Sequence, residues 1–178
     1  MVWHAVASVA VTCCVGGPSP SVVQQPMFTV TLHPAIVHFP IALLLLGSAV
    51  TLVYLASRRQ KELALFALWL LLLGWIGALA AILSGLLAQS GLPPRAEYRT
   101  TLNWHIGTGM GLALVYGALL YVWWLRRPRD QRPETKPLLD DRNSRLWVIV
   151  ALLLGALLVI VTGWNGGRLV YEFGVNVG

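Results

Sequence analysis

Three histidines carry most of the chemistry this sequence can offer: His33, His38 and His105. Two of them fall in one stretch, Leu32-His33-Pro34-Ala35-Ile36-Val37-His38-Phe39-Pro40-Ile41, at the mouth of a long apolar run. A histidine within or beside a hydrocarbon span is costly, so it needs a partner and points to a function. His105 opens another apolar run and has Gly109 four residues on, on its own helical face, followed by Ala113 and Gly117. Such a smooth wall would leave room beside His105 for a flat, bulky cofactor. His38 and His105, at similar depth on two spans, are therefore read as axial ligands of one b-type haem. His33 lies five residues before His38, about 140° away around a helix of ~3.6 residues per turn, so the two do not face one partner easily. Arg95, Arg99 and Arg168 stand at the same end and could meet the propionates.

Two other readings of the histidines stay open. A metal ion held by His38, His105 and His33 would need Glu97 or Glu172 folded inward, because no carboxylate adjoins the histidines in sequence. Alternatively, His38 donates to a carbonyl freed near Ile36 by Pro40, and His105 bonds Asn103 or the tail. The histidines would then be a polar packing network in a non-enzymatic structural or assembly subunit of a membrane complex.

The elements that must position these residues are membrane helices. Of the 178 residues, 57% are hydrophobic and 11% charged, against about 25% charged in an ordinary soluble domain. Four apolar spans follow one another, at about 34–56, 63–88, 102–125 and 146–164, each near the ~20 residues a bilayer-crossing helix needs. The fold class is all-α: a four-helix transmembrane bundle in one domain, 27–178. Pro34 suits a first helical turn, and Pro40 a kink further in.

The net charge of +6 sits mostly in two short loops and reads as topology, with the lipid bilayer and not nucleic acid as the partner. Arg58, Arg59 and Lys61 lie between the first two spans, and seven Lys or Arg residues from Arg126 to Arg145 between the last two. The positive-inside rule places those loops in the cytoplasm and both termini outside a bacterial inner membrane. The Arg126–Arg145 loop reads as a solvated connector. Trp123 and Trp124 mark one interface, Trp104 and Trp164 the other.

Gly77, Ala81 and Gly85 form a small-residue stripe that reads as packing within the bundle. The tail from Gly163 to Gly178 reads as a turn at Gly166-Gly167, then a short outer-surface segment with Arg168 and Glu172 spaced i,i+4, capping the bundle over the histidines. Residues 1–26 read as a leader or a mis-assigned start before Met27, and adjacent Cys13 and Cys14 imply no disulfide framework. Almost no polar residue lies at mid-membrane, which argues against a channel. Ser84 and Ser90 lack a nearby histidine–acid pair in sequence, which argues against a hydrolase.

Leu32-His33-Pro34 with Val37-His38-Phe39-Pro40-Ile41-Ala42-Leu43, the His105–Gly109 pair, and Gly166-Gly167 with Leu169-Val170-Tyr171 and Gly174-Val175 together resemble one bacterial family, domain of unknown function twenty-two thirty-one. The resemblance runs from about Met27 to Gly178 and implies a four-helix inner-membrane protein, with no established activity. Its layout is similar to four-helix membrane b-type cytochromes. Those often hold two haems with four histidines; three histidines at one end allow one bis-histidine haem at most.

Overall fold

The computed structural model describes residues 27–57, 61–89, 92, 97–126, 138–139 and 141–175. Residues 1–26 and Arg95 lie outside that set. Four helices account for nearly all of the described chain: α1 (Met27–Ser57), α2 (Lys61–Gln89), α3 (Arg99–Leu125) and α4 (Arg142–Tyr171). Each contains a stretch long and apolar enough to cross a bilayer. Lipid offers no partner to backbone polar groups, so each span must satisfy its own. Three side-chain hydroxyls and one amide follow the same rule by bonding the carbonyl four residues back: Thr51 to Gly47 at 2.7 Å, Ser57 to Val53 at 3.0 Å, Thr108 to Trp104 at 2.7 Å and Asn165 to Val161 at 2.9 Å.

The helices run alternately up and down. α1 packs along α2 and α3 along α4; narrower seams join α2 to α3 and α1 to α4, while α1 and α3 lie diagonally across the bundle without backbone contact. Reciprocal glycine notches close the α1–α2 pair. A Cβ on Gly47 would come within 2.9 Å of Leu71, and one on Gly74 within 2.9 Å of Leu44. Those two leucines are 0% and 1% exposed. The Gly77–Gly85 stripe turns toward α1 as expected, with Pro40 seated on Gly77.

Across the diagonal, the Tyr116 hydroxyl of α3 meets Ser48 Oγ of α1 at 2.9 Å. The Tyr116 ring fills the notch at Gly155 of α4, where a Cβ would lie 2.7 Å from its Cζ. Large apolar side chains such as Leu114 and Leu146, each 72% exposed, face outward, which fits a lipid-facing surface.

Three expectations change here. Pro34 is an interior residue, because α1 begins at Met27. Gly166 and Gly167 do not break α4, which runs on to Tyr171. The turn comes at Gly174, whose φ is +63°. There the Gly174 N–H donates to the Val170 carbonyl (3.2 Å), an αL closure, and the Val175 N–H reaches back to the Leu169 carbonyl (2.9 Å). The helix persists because Val175 and Leu169 bury themselves with Leu102 on α3, with Tyr98 and Phe173 packed against them. Finally, the connector before α4 is partly packed: Leu138 and Leu139 are 0% and 4% exposed within the core.

Candidate functional site

The structure brings together His33 and His105, not His38 and His105. The two imidazoles meet across the bundle diagonal with ring centroids 6.2 Å apart and planes at 86°. Each is fixed by a neighbouring helix. His33 Nδ1 lies 3.0 Å from Ser84 Oγ on α2. Ser84 spends its own proton on the Ala81 carbonyl at 2.9 Å, so its oxygen accepts and His33 Nδ1–H donates. His105 Nδ1–H donates to the Thr162 carbonyl of α4 at 2.9 Å. A carbonyl can only accept, so this tautomer follows from the partner. In both rings the lone pair is therefore on Nε2. The Thr162 hydroxyl bonds Thr108 at 2.8 Å, and Thr108 bonds back to Trp104, so the His105 anchor is itself braced.

Each ring also occupies a glycine notch. A Cβ on Gly85 would lie 3.0 Å from His33 Cε1, and one on Gly166 would lie 3.0 Å from His105 Cε1. Gly166 thus stays helical and bare because an imidazole takes the space its side chain would need. All four helices contribute to the site: α1 and α3 supply the rings, α2 and α4 the anchors and notches.

The other expected site residues are arranged differently. His38 is exposed, and its Nδ1–H donates to the Pro34 carbonyl of its own helix at 2.8 Å. That is the local bond anticipated for it, one turn from its own position and not the Ile36 carbonyl. With ~100° per residue, turning His33 inward necessarily turns His38 away. Gly109 forms no bare wall, because Thr162 Cγ2 packs 3.7 Å from where its Cβ would be. Arg168 is engaged with Glu172, its Nε 3.0 and 2.9 Å from the two carboxylate oxygens, in the expected i,i+4 pair. Arg99 is half-buried in the first turn of α3 and engaged within the protein. Among the described residues no three His, Cys, Asp or Glu side chains converge on one point, and His38 is turned away from His33 and His105.

A family model described as a predicted membrane protein (DUF2231) matches residues 29–178. The chain belongs to that family. The stretch matched in DUF2231 takes in His33, Ser84, His105 and Thr162, the whole of the site. Searches for similar curated proteins and for similar solved structures find no match.

Reading the sequence alone missed the role of His33 and the anchors Ser84 and Thr162. Ser84-Gly85 offered a faint signal, a small hydroxyl beside a bare position near the end of a span. The Thr162 anchor is a backbone carbonyl and leaves no trace in residue type.

Proposed function

We propose that this DUF2231 protein is a small redox subunit of a bacterial inner membrane, binding one b-type haem through His33 and His105. The observation that supports it is the diagonal pair itself. A metal–nitrogen bond to imidazole is about 2.0 Å, so two imidazoles in line on one metal place their centroids roughly 6 Å apart. The observed 6.2 Å matches that spacing, which is also that of an ordinary edge-to-face ring contact. The donor set also fits. Two neutral imidazoles would leave a bare metal ion short of ligands, but haem brings its own four nitrogens and needs only an axial pair.

The chain's contribution is orientation. Ser84 and the Thr162 carbonyl accept Nδ1–H from His33 and His105, which holds each ring and raises the basicity of its Nε2. Bound haem would supply one-electron transfer. The positive-inside rule puts the histidine end and both termini outside, the basic loops in the cytoplasm, and the haem within reach of partner subunits on the outer face.

One observation favours the other reading, a non-enzymatic assembly subunit with the histidines as a polar plug: the imidazoles already fill the notches at Gly85 and Gly166 by themselves. A pyridine haemochrome assay on protein purified in mild detergent separates the two. The haem reading expects a b-type spectrum at about one haem per chain. A preparation still colourless after haem-supplemented expression overturns it and leaves the plug.

A further inference from the structure

Tyr98 carries a polar atom that no described residue answers. It precedes α3, with its ring at 63° to Phe173 and centroids 6.4 Å apart, against the cluster of Leu102, Leu169 and Val175. Its hydroxyl is buried and has no hydrogen-bond partner among the described residues. Buried hydroxyls nearly always find one, and an exception calls for an explanation. Tyr98 also stands seven residues before His105. That is two helical turns along the same face, roughly 10 Å toward the end of the bundle. The unanswered donor is therefore on the line that His105 starts, under the lid made by the end of α4.

We propose that the Tyr98 hydroxyl donates a hydrogen bond to a carboxylate of the cofactor, one propionate of the haem held by His33 and His105. This rests on the haem reading above. The propionates are the strongly polar groups of haem, and an acceptor is what a phenol O–H lacks here. A phenol suits this place better than a cation, because without the cofactor it leaves a neutral group unpaired instead of a charge. Arg168, the alternative partner on α4, is already engaged by Glu172.

The test is Tyr98→Phe in the full chain, measured without and with haem. Without haem the variant is expected to melt at the same temperature as the parent or slightly higher, because an unpaired buried hydroxyl has been removed. With haem its affinity is expected to fall about 3- to 10-fold, the share of one hydrogen bond. Its absorption bands should stay unshifted, since both ligands remain. A lower melting temperature without haem would show that the hydroxyl has a partner inside the protein and would overturn the proposal. So would haem binding as tight as the parent's. A parent protein that takes up no haem removes the haem reading itself, whereas a coloured parent with an indifferent variant removes only the role of Tyr98.

Discussion

The two ends of the bundle use polar groups in opposite ways. At the histidine end the cross-helix contacts are neutral: His33 with Ser84, His105 with the Thr162 carbonyl, Thr162 with Thr108. At the basic end they are charged. Arg126 holds the Asp141 carboxylate at 2.8 Å and also bonds Ser144, and Arg145 reaches across to the Leu55 carbonyl at 2.8 Å. Asp141 doubles as the N-cap of α4, accepting from the Asn143 N–H at 3.1 Å. Those charged groups seal helix ends where water is near, with Arg126 and Asp141 still 41% and 24% exposed. The neutral groups orient two rings where charge would be costly. One end ties helix termini together with charged contacts, the other holds two imidazoles side by side with neutral ones.

Crowding the notches should show the contrast most strongly. Gly85→Val or Gly166→Val places carbon within about 3 Å of an imidazole, so the ring must move. Each is expected to cost about 1–3 kcal/mol, as overpacking does, and to abolish haem binding. Gly167→Ala, where a Cβ meets nothing within 4 Å, should bind haem like the parent. Equal haem binding by all three in a titration would show that ring placement does not matter.

A smaller effect is expected from Tyr116→Phe. It keeps the ring in the Gly155 notch but leaves buried Ser48 without its partner, at a cost of about 1 kcal/mol. Detergent-phase thermal unfolding would read this. Because the bond ties α1 to α3 across the same diagonal as the histidines, haem affinity should weaken with it; an unchanged affinity would mean the two diagonal contacts are independent.

The smallest effect lies at the charged end. The Ser144 hydroxyl, the Asn143 N–H and Arg126 hold the Asp141 carboxyl below its ordinary range. A carboxylate with a depressed folded-state pKa contributes stability that is present above its unfolded value and lost as pH falls through the folded one. Acidification below the usual carboxylate range should therefore lower the melting temperature, and Asp141→Asn should flatten that part of the pH profile without changing haem content. An unaltered acid slope in the variant would place the titrating group elsewhere.

What could be read from the sequence divides along the same physical lines. The four spans were legible because lipid demands long apolar helices whatever their neighbours, and the stripe at Gly77 and Gly85 because close helix approach needs small residues. The 140° argument correctly separated His33 from His38, but it could not say which faces inward. That depends on the Gly85 notch and the Ser84 oxygen of another helix. Gly166-Gly167 looked like a turn because glycine is a poor helix former. In the fold, Gly166 is bare to admit a ring, and the turn belongs to Gly174, where φ is positive. The Tyr98 hydroxyl had no signature, since being unpartnered is a property of packing and not of residue type.

The most direct test is a reduced-minus-oxidised visible spectrum of His33→Ala beside His38→Ala, both purified from membranes in mild detergent. The proposed haem ligation by His33 and His105 requires a b-type spectrum that is lost with His33→Ala and kept with His38→Ala, whose side chain bonds the Pro34 carbonyl of its own helix. Loss of the spectrum with His38→Ala and its survival with His33→Ala would contradict it.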